Sequence, residues 1–424
     1  MSPPTHRTSI NIRQQVDVCI GQTGRAVGSL TYVQQGQREN TSFAYGASWL
    51  ADPDRFQISP DLALTTDYQQ RKAATKSDSP FHHALADTAP DAWGRRVIAR
   101  AHAKERAKQS ELGPLTELDY LLAVDDVSRV GALRLRDQAG NFLRTSPAGE
   151  RSTPPLIELK HMLSASRAVE KGTETAQDLL YLQGKGTSLG GMRPKCTVME
   201  DNGQLAIGKF PSVSDSRSVT RGEVLAMRLA QLAGIDAAPA RIVEVQGIAV
   251  AIIGRFDRTP DAKRIPYLSA ASMLQAGREE ERSYVEIADI IRAHCAEPSK
   301  DLQQLWRRML FNLLVTNVDD HLKNHGFLHV AKGQWRLAPA FDINPFPDKD
   351  RESKTWLSEQ DGPIVDVAAL LARCAYFALT ATQAQKVLAD VVQAVAGWKT
   401  LALGPAVGLK PKALDDFAAA FDPP

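Results

Sequence analysis

Asn317-Val318-Asp319-Asp320-His321-Leu322-Lys323-Asn324, followed by Phe341-Asp342-Ile343, is the stretch on which the reading of this chain turns. Asp319 and Asn324 stand five positions apart. That is the D-x-x-x-x-N spacing at which a phosphotransferase catalytic loop sets one carboxylate on a substrate hydroxyl and one amide on magnesium. Asp342, after the short apolar run Trp335-Arg336-Leu337-Ala338, is a second candidate metal ligand. Phosphoryl transfer asks little covalent chemistry of a protein. It needs magnesium, phosphate clamps and a positioned hydroxyl, and those residue types are present. The spacing alone recurs by chance about once in a chain of this length. An acidic helix end, capped by Asp319 or Asp320 and closed by Asn324 and Gly326, fits the same letters.

Upstream context tips the balance. Gly186-Thr187-Ser188-Leu189-Gly190-Gly191-Met192-Arg193-Pro194-Lys195 is a small-residue loop that runs into Cys196-Thr197-Val198-Met199. The turn signal Asn202-Gly203 and the run Leu205-Ala206-Ile207-Gly208-Lys209-Phe210 follow. Apolar runs on both sides of Asn-Gly predict a hairpin. A glycine loop feeding a hairpin whose second strand carries a lysine is a device for covering and gripping ATP phosphates. Ser218-Val219-Thr220-Arg221-Gly222-Glu223 then opens an amphipathic helix with Val224, Leu225, Met227, Leu229, Ala230 and Leu232. Glu223, in its first turn, either complements the helix N-terminus or pairs with Lys209.

Two competing motifs are set aside on context. Gly186-Thr187-Ser188-Leu189-Gly190 fits the G-x-S-x-G elbow of α/β-hydrolases, but Gln183-Gly184-Lys185 before it is no buried strand and Pro194 soon after it starts no helix. His321, His325 and His329 have the spacing of one helix face, as a zinc site would want, yet no Glu follows His321 and Gly326 interrupts the helix. His325 and His329 read as polar or strand positions.

The blocks Ser188-Leu189-Gly190-Gly191-Met192-Arg193-Pro194-Lys195, Ile207-Gly208-Lys209-Phe210-Pro211, Arg255-Phe256-Asp257-Arg258, Asp319 to Asn324 and Phe341-Asp342-Ile343 occur in an order that resembles the HipA family. Its members are bacterial serine/threonine kinase toxins of type II toxin–antitoxin systems. Looser matches, Leu85 to Arg95 and Val130-Gly131-Ala132-Leu133-Arg134, extend the resemblance over most of the chain. The resemblance implies ATP and Mg2+ as cofactors and Asp319 as the residue that accepts the substrate hydroxyl proton. It implies that Asn324 and Asp342 hold magnesium and that Lys209, with Glu223, grips the phosphates under Gly190 and Gly191. His321 and Lys323 would line the nucleotide site. Gly254-Arg255-Phe256 would be the hinge that meets adenine, with Asp257 near the ribose. Ser188 would be an autophosphorylation site that ejects the loop and silences the enzyme, because a phosphate adds nearly two negative charges beside an ATP site. The implied partners are a HipB-like helix-turn-helix antitoxin, operator DNA only through that antitoxin, and a protein substrate such as an aminoacyl-tRNA synthetase. A small-molecule kinase and a silent co-repressor are the alternatives. No H-R-D, G-x-G-x-x-G or D-F-G occurs, which sets the chain apart from eukaryotic-type protein kinases. Asp320, where many relatives carry a small residue, offers a second carboxylate beside Asp319.

With 424 residues, 43% hydrophobic and 24% charged, the chain is long enough for two or three domains around a large core. A net charge of +2 is too small to predict direct nucleic-acid binding. Cys19, Cys196, Cys295 and Cys374 form no C-x-x-C pair and read as reduced core thiols. No stretch approaches the roughly 20 apolar residues of a membrane span, so a cytoplasmic enzyme without membrane contact is expected. Strands dominate early and helical periodicity dominates after Tyr284. The predicted class is α+β, a two-lobed protein-kinase-like fold with a β-rich N-lobe and an all-helical C-lobe. The expected divisions are 1–150, 151–257 and 258–424.

Overall fold

The computed structural model describes residues 11–421 apart from 74, 76, 110, 146–152, 183–190, 278 and 279. Alternating apolar residues near the start build an antiparallel meander: β1 (Asn11–Ile20), β2 (Arg25–Gln35), β3 (Arg38–Tyr45) and β4 (Gln69–Lys72). β5 (Leu133–Arg136) adds to β1, giving the order β4-β3-β2-β1-β5. Short helices α1 (Ala47–Leu50) and α2 (His83–Ala86) precede α3 (Ala92–Arg106) and α4 (Glu117–Ala123). Asp91 caps α3 by accepting from the Gly94 amide, and Thr116 with Asp119 forms a capping box on α4.

After α5 (Leu159–Lys171) and α6 (Ala176–Leu182), the expected hairpin forms from β6 (Lys195–Met199) and β7 (Leu205–Lys209). Gly203 takes a positive φ of 78° in its turn, a conformation open to glycine at no steric cost. The register sets Lys195 directly opposite Lys209. α7 (Val219–Leu232), β8 (Ala240–Val245) and β9 (Ile248–Gly254) complete a second antiparallel sheet, β6-β7-β9-β8. Leu232 stays exposed at the end of α7, while Val224, Leu225, Met227, Leu229 and Ala230 are buried.

The C-terminal lobe corrects one expectation: it is not all-helical. β10 (Tyr267–Ser269), β11 (Gly326–Ala331) and β12 (Gln334–Leu337) form a three-stranded sheet, and β13 (Trp356–Ser358) pairs with β14 (Gly362–Pro363). β11 and β12 are brief strands, β12 alternating between exposed and buried and β11 running from a buried start to an exposed end, so they carry little periodic signal of their own. Around them stand α8 (Ala270–Met273), α9 (Tyr284–His294), α10 (Pro298–Leu314), α11 (Val367–Ala372), α12 (Ala381–Ala396), α13 (Trp398–Leu403) and α14 (Ala418–Phe421). α10 starts on Pro298 and buries Leu302, Leu305, Met309, Leu310 and Leu313, the stripe its periodicity predicts.

One continuous apolar core joins the first sheet to the helical lobe, from Val16 and Phe43 through Leu225 to Phe421. A second lies between α3, α5, α6 and the β6–β9 sheet, with Trp93, Met162, Cys196 and Phe210. α3 therefore comes from the N-terminal third but packs against the strands of the second sheet. All four cysteines are buried and none forms a disulfide. No helix among the described residues is long and apolar enough to cross a membrane.

Two histidines make stability acid-sensitive. Burial, then the charge of Arg71, pushes the His83 imidazole down to about 4. Burial does the same to His329, whose ring stacks on Phe56 with centroids 3.8 Å apart. Both groups resist protonation in the folded chain and accept it near 6.5 once unfolded. Stability is therefore expected to fall as pH drops from about 6.5 to about 4. Thermal melts between pH 7 and 4.5 check this. His329→Phe should lose less melting temperature over that range than the parent chain, and parallel curves would contradict the assignment.

Candidate active site

The site is assembled from four segments. β7 ends on Lys209, whose Nζ donates to Glu223 of α7 and, at 2.7 Å, to Asp342 Oδ1. Of the two roles open to Glu223, pairing with Lys209 is the one adopted. Burial alone would lower the Lys209 ammonium. Asp342 and then Glu223 more than offset this and hold it above its ordinary value. Burial would raise the Asp342 carboxyl, but Lys209 and then Lys195 hold it well below the usual range. Asp342 has φ = 57°, a left-handed conformation uncommon for a residue with a side chain, and Asn344 Nδ2 donates to its Oδ1 at 3.1 Å. The backbone at Asp342 is braced by neighbours, since Ala340 N–H donates to Asp236 O and Asn344 N–H to Asn317 Oδ1.

Asp319 and Asp320 have opposite environments. Asp319 is exposed and meets Lys354 Nζ at 3.0 Å. Asp320 is buried, accepting from Tyr284 Oη, from Asn312 Nδ2 at 2.9 Å and meeting His325 Nε2 at 2.9 Å. Burial would raise the Asp320 carboxyl, yet His325 and the Tyr284 hydroxyl hold it below its ordinary value. Asp320 therefore anchors the loop, and Asp319 is left facing outward where a hydroxyl can reach it. Asn324 Nδ2 donates to Asp319 O at 3.2 Å, which turns its Oδ1 away as an acceptor.

Asn324 Oδ1 and the second Asp342 oxygen are hard donors of the type magnesium takes, one amide and one carboxylate. No group of three His, Cys, Asp or Glu side chains able to hold a metal occurs among the described residues, so the histidine spacing builds no zinc site. His325 serves Asp320, and His329 stacks in β11 while its Nε2 accepts from the Gly333 amide at 3.2 Å. His321 and the exposed Lys323 stand on the same loop as Asn324.

In the expected hinge, the side chains of Arg255 and Asp257 are engaged elsewhere. Arg255 and Arg258 both donate to the Asp257 carboxylate, Gly131 N–H donates to Asp257 Oδ2 at 2.7 Å, and Arg255 Nη1 also donates to Ser128 O. With both oxygens engaged and the side chain 2% exposed, Asp257 ties the second sheet to the 127–131 loop. Arg255 is consumed by the same network. The amides of Gly254 and Arg255 donate to Pro239 O and Leu205 O, so neither offers a donor to adenine. Phe256 packs 5.2 Å from Phe341, next to Asp342, and stays a candidate wall of the site. Ser188 and Gly190 lie outside the described residues. Gly191 is described, with φ = 116°.

Two partners were not anticipated. Lys195 is buried with its Nζ 3.1 Å from Asp91 Oδ2. Its position opposite Lys209 could have been counted out from the Asn202-Gly203 turn, but nothing local announces Asp91. Lys354, which meets Asp319, likewise stands far from it in sequence.

Residues 187–398 match the model of the HipA-like C-terminal domain, and residues 16–136 that of the HipA N-terminal domain. The chain belongs to the HipA family. Two proteins of Sinorhizobium fredii (strain NBRC 101917 / NGR234) are similar over 76% of this chain and 75% of their own length. They are "Putative kinase Y4mE", 26% identical, and "Putative kinase Y4dM", 28% identical. A Shewanella oneidensis MR-1 HipA, solved with HipB and its operator DNA, matches with a TM-score of 0.66 and 18% identity, covering 96% of this chain and 95% of that one. That likeness extends the two-lobed HipA fold across almost the whole chain, and the site lies within the C-terminal HipA region, apart from Asp91.

Proposed function

We propose that this HipA-family chain is an ATP-dependent serine/threonine protein kinase acting as a toxin. The observation that carries the reading is the Lys209–Glu223–Asp342 cluster, with Lys209 and Glu223 buried and Asp342 partly exposed, together with an outward Asp319 and an Asn324 turned to offer Oδ1. Lys209 would grip the nucleotide phosphates, and Asp342 with Asn324 would hold magnesium. Bound there, the metal neutralises charge on the phosphates. Asp319 orients the substrate hydroxyl and takes its proton as the new O–P bond forms and the bond to the departing ADP oxygen breaks. His321 and Lys323 fit beside the nucleotide. Ser188, by the same reading, is a self-phosphorylation site that turns the kinase off.

The partner reading rests on the relative solved with HipB and operator DNA. A HipB-like antitoxin would neutralise the chain and contact DNA on its behalf. A translation enzyme such as an aminoacyl-tRNA synthetase is the proposed target, and a cytoplasmic location goes with it. Incubation of the chain with ATP, magnesium and a panel of purified synthetases tests this, followed by phosphopeptide mapping. Phosphoserine or phosphothreonine on one synthetase, absent with Asp319→Asn, is the expected result. Transfer to a metabolite alone would move the assignment to a small-molecule kinase, and ATP binding with no transfer to a silent co-repressor.

A further inference from the structure

The nucleotide cluster holds a second lysine that the proposed chemistry does not use. Lys195 is as deeply buried as Lys209 and sits opposite it across the β6–β7 register. Its ammonium lies 3.1 Å from Asp91 Oδ2, with the two side chains 3% and 2% exposed. Asp91 belongs to the N-terminal third, where its other oxygen caps α3 by accepting from Gly94 N–H at 2.7 Å. The same helix start touches the glycine loop, since Trp93 N–H donates to Gly191 O at 3.4 Å. A Cβ on Gly191 would lie 2.5 Å from Lys195 Nζ, so the loop's last glycine rests directly on this ammonium.

A buried ion pair adds little net stability, because desolvation of both charges nearly cancels their attraction. Its value lies in placement. Lys195 also acts electrostatically on Glu223 and Asp342, the carboxylates that serve Lys209 and the metal. Asp91 is a carboxylate within ion-pair distance of this ammonium. We propose that Asp91 is a positioning residue for the nucleotide site: it holds Lys195 beneath Gly191 and away from Asp342, so that the N-terminal unit sets both the base of the glycine loop and the charge left on the metal carboxylate. This rests on the reading of Lys209, Asn324 and Asp342 as a magnesium–ATP site.

Asp91→Asn isolates the claim, because asparagine caps a helix as well as aspartate does but carries no charge. With the Asp91 charge removed, Lys195 turns toward Asp342 and offsets its charge. Binding of ATP by the purified full chain is measured by calorimetry across a magnesium titration and again in EDTA, alongside the melting temperature of the unliganded chain. Asp91→Asn should weaken magnesium-dependent ATP binding by about tenfold, in line with the loss of a supporting partner around a metal ligand. ATP binding in EDTA should change much less. The double variant Asp91→Asn with Lys195→Met should recover most of the magnesium-dependent affinity. It also serves if the single variant folds poorly. Unchanged magnesium dependence in Asp91→Asn, or a double variant no better than the single one, would overturn the proposal. A parent chain that binds no magnesium–ATP would instead defeat the underlying reading of the site, and the proposal with it.

Discussion

Asp319→Asn is expected to cut phosphate transfer by about a thousandfold while leaving the melting temperature and ATP affinity nearly unchanged. The substitution keeps the shape of the side chain and removes only the carboxylate that would accept the hydroxyl proton. Little else depends on that carboxylate. It is 58% exposed, and it meets a lysine that is equally exposed, a pairing of small energetic value. Asp320→Asn supplies the contrasting control. That carboxylate is buried against Tyr284, Asn312 and His325, so the change should lower the melting temperature along with activity. Steady-state kinetics and thermal melts on the two variants separate the base from its anchor. If Asp319→Asn kept more than a tenth of the parent rate, the role of Asp319 would have to be given up.

Lys209→Met should cost both binding and stability. One ammonium holds two carboxylates, buried Glu223 and part-buried Asp342, and removing it leaves like charges facing each other. Breaking a buried pair by deleting one partner costs about 3–5 kcal/mol. The loss should be expressed above the usual carboxylate range. The depressed Asp342 carboxyl contributes its stability above its unfolded value and gives it up as pH falls through its folded one. Urea unfolding at neutral pH measures the destabilisation, and calorimetry should find magnesium–ATP binding reduced at least tenfold. Adding Glu223→Gln to Lys209→Met should restore part of the stability but none of the binding. Recovery of binding would mean that the lysine only balances charge and does not hold phosphate.

The legible features were those written locally. Asn202-Gly203 fixed a hairpin and with it the facing of Lys195 and Lys209. The leucine stripe of α10 and the spacing from Asp319 to Asn324 could be read directly from residue order. Long-range pairings could not. Asp257 was placed near the ribose by the resemblance alone, and only folding brings it to Gly131. Asp91 pairs with a lysine about a hundred positions away, with no pattern in either segment to announce it. The β10–β12 sheet escaped for a different reason. Its strands are short and interleaved with a dominant helical periodicity, and β10 is only three residues long.

The central claim is that this cluster transfers phosphate from ATP. Intact-mass analysis of the dephosphorylated chain after incubation with ATP and magnesium, beside Asp319→Asn, tests it most directly. One added phosphate on the parent chain, mapped to Ser188, and none on the variant is the expected result. A parent chain that gains no phosphate and binds no ATP would contradict it.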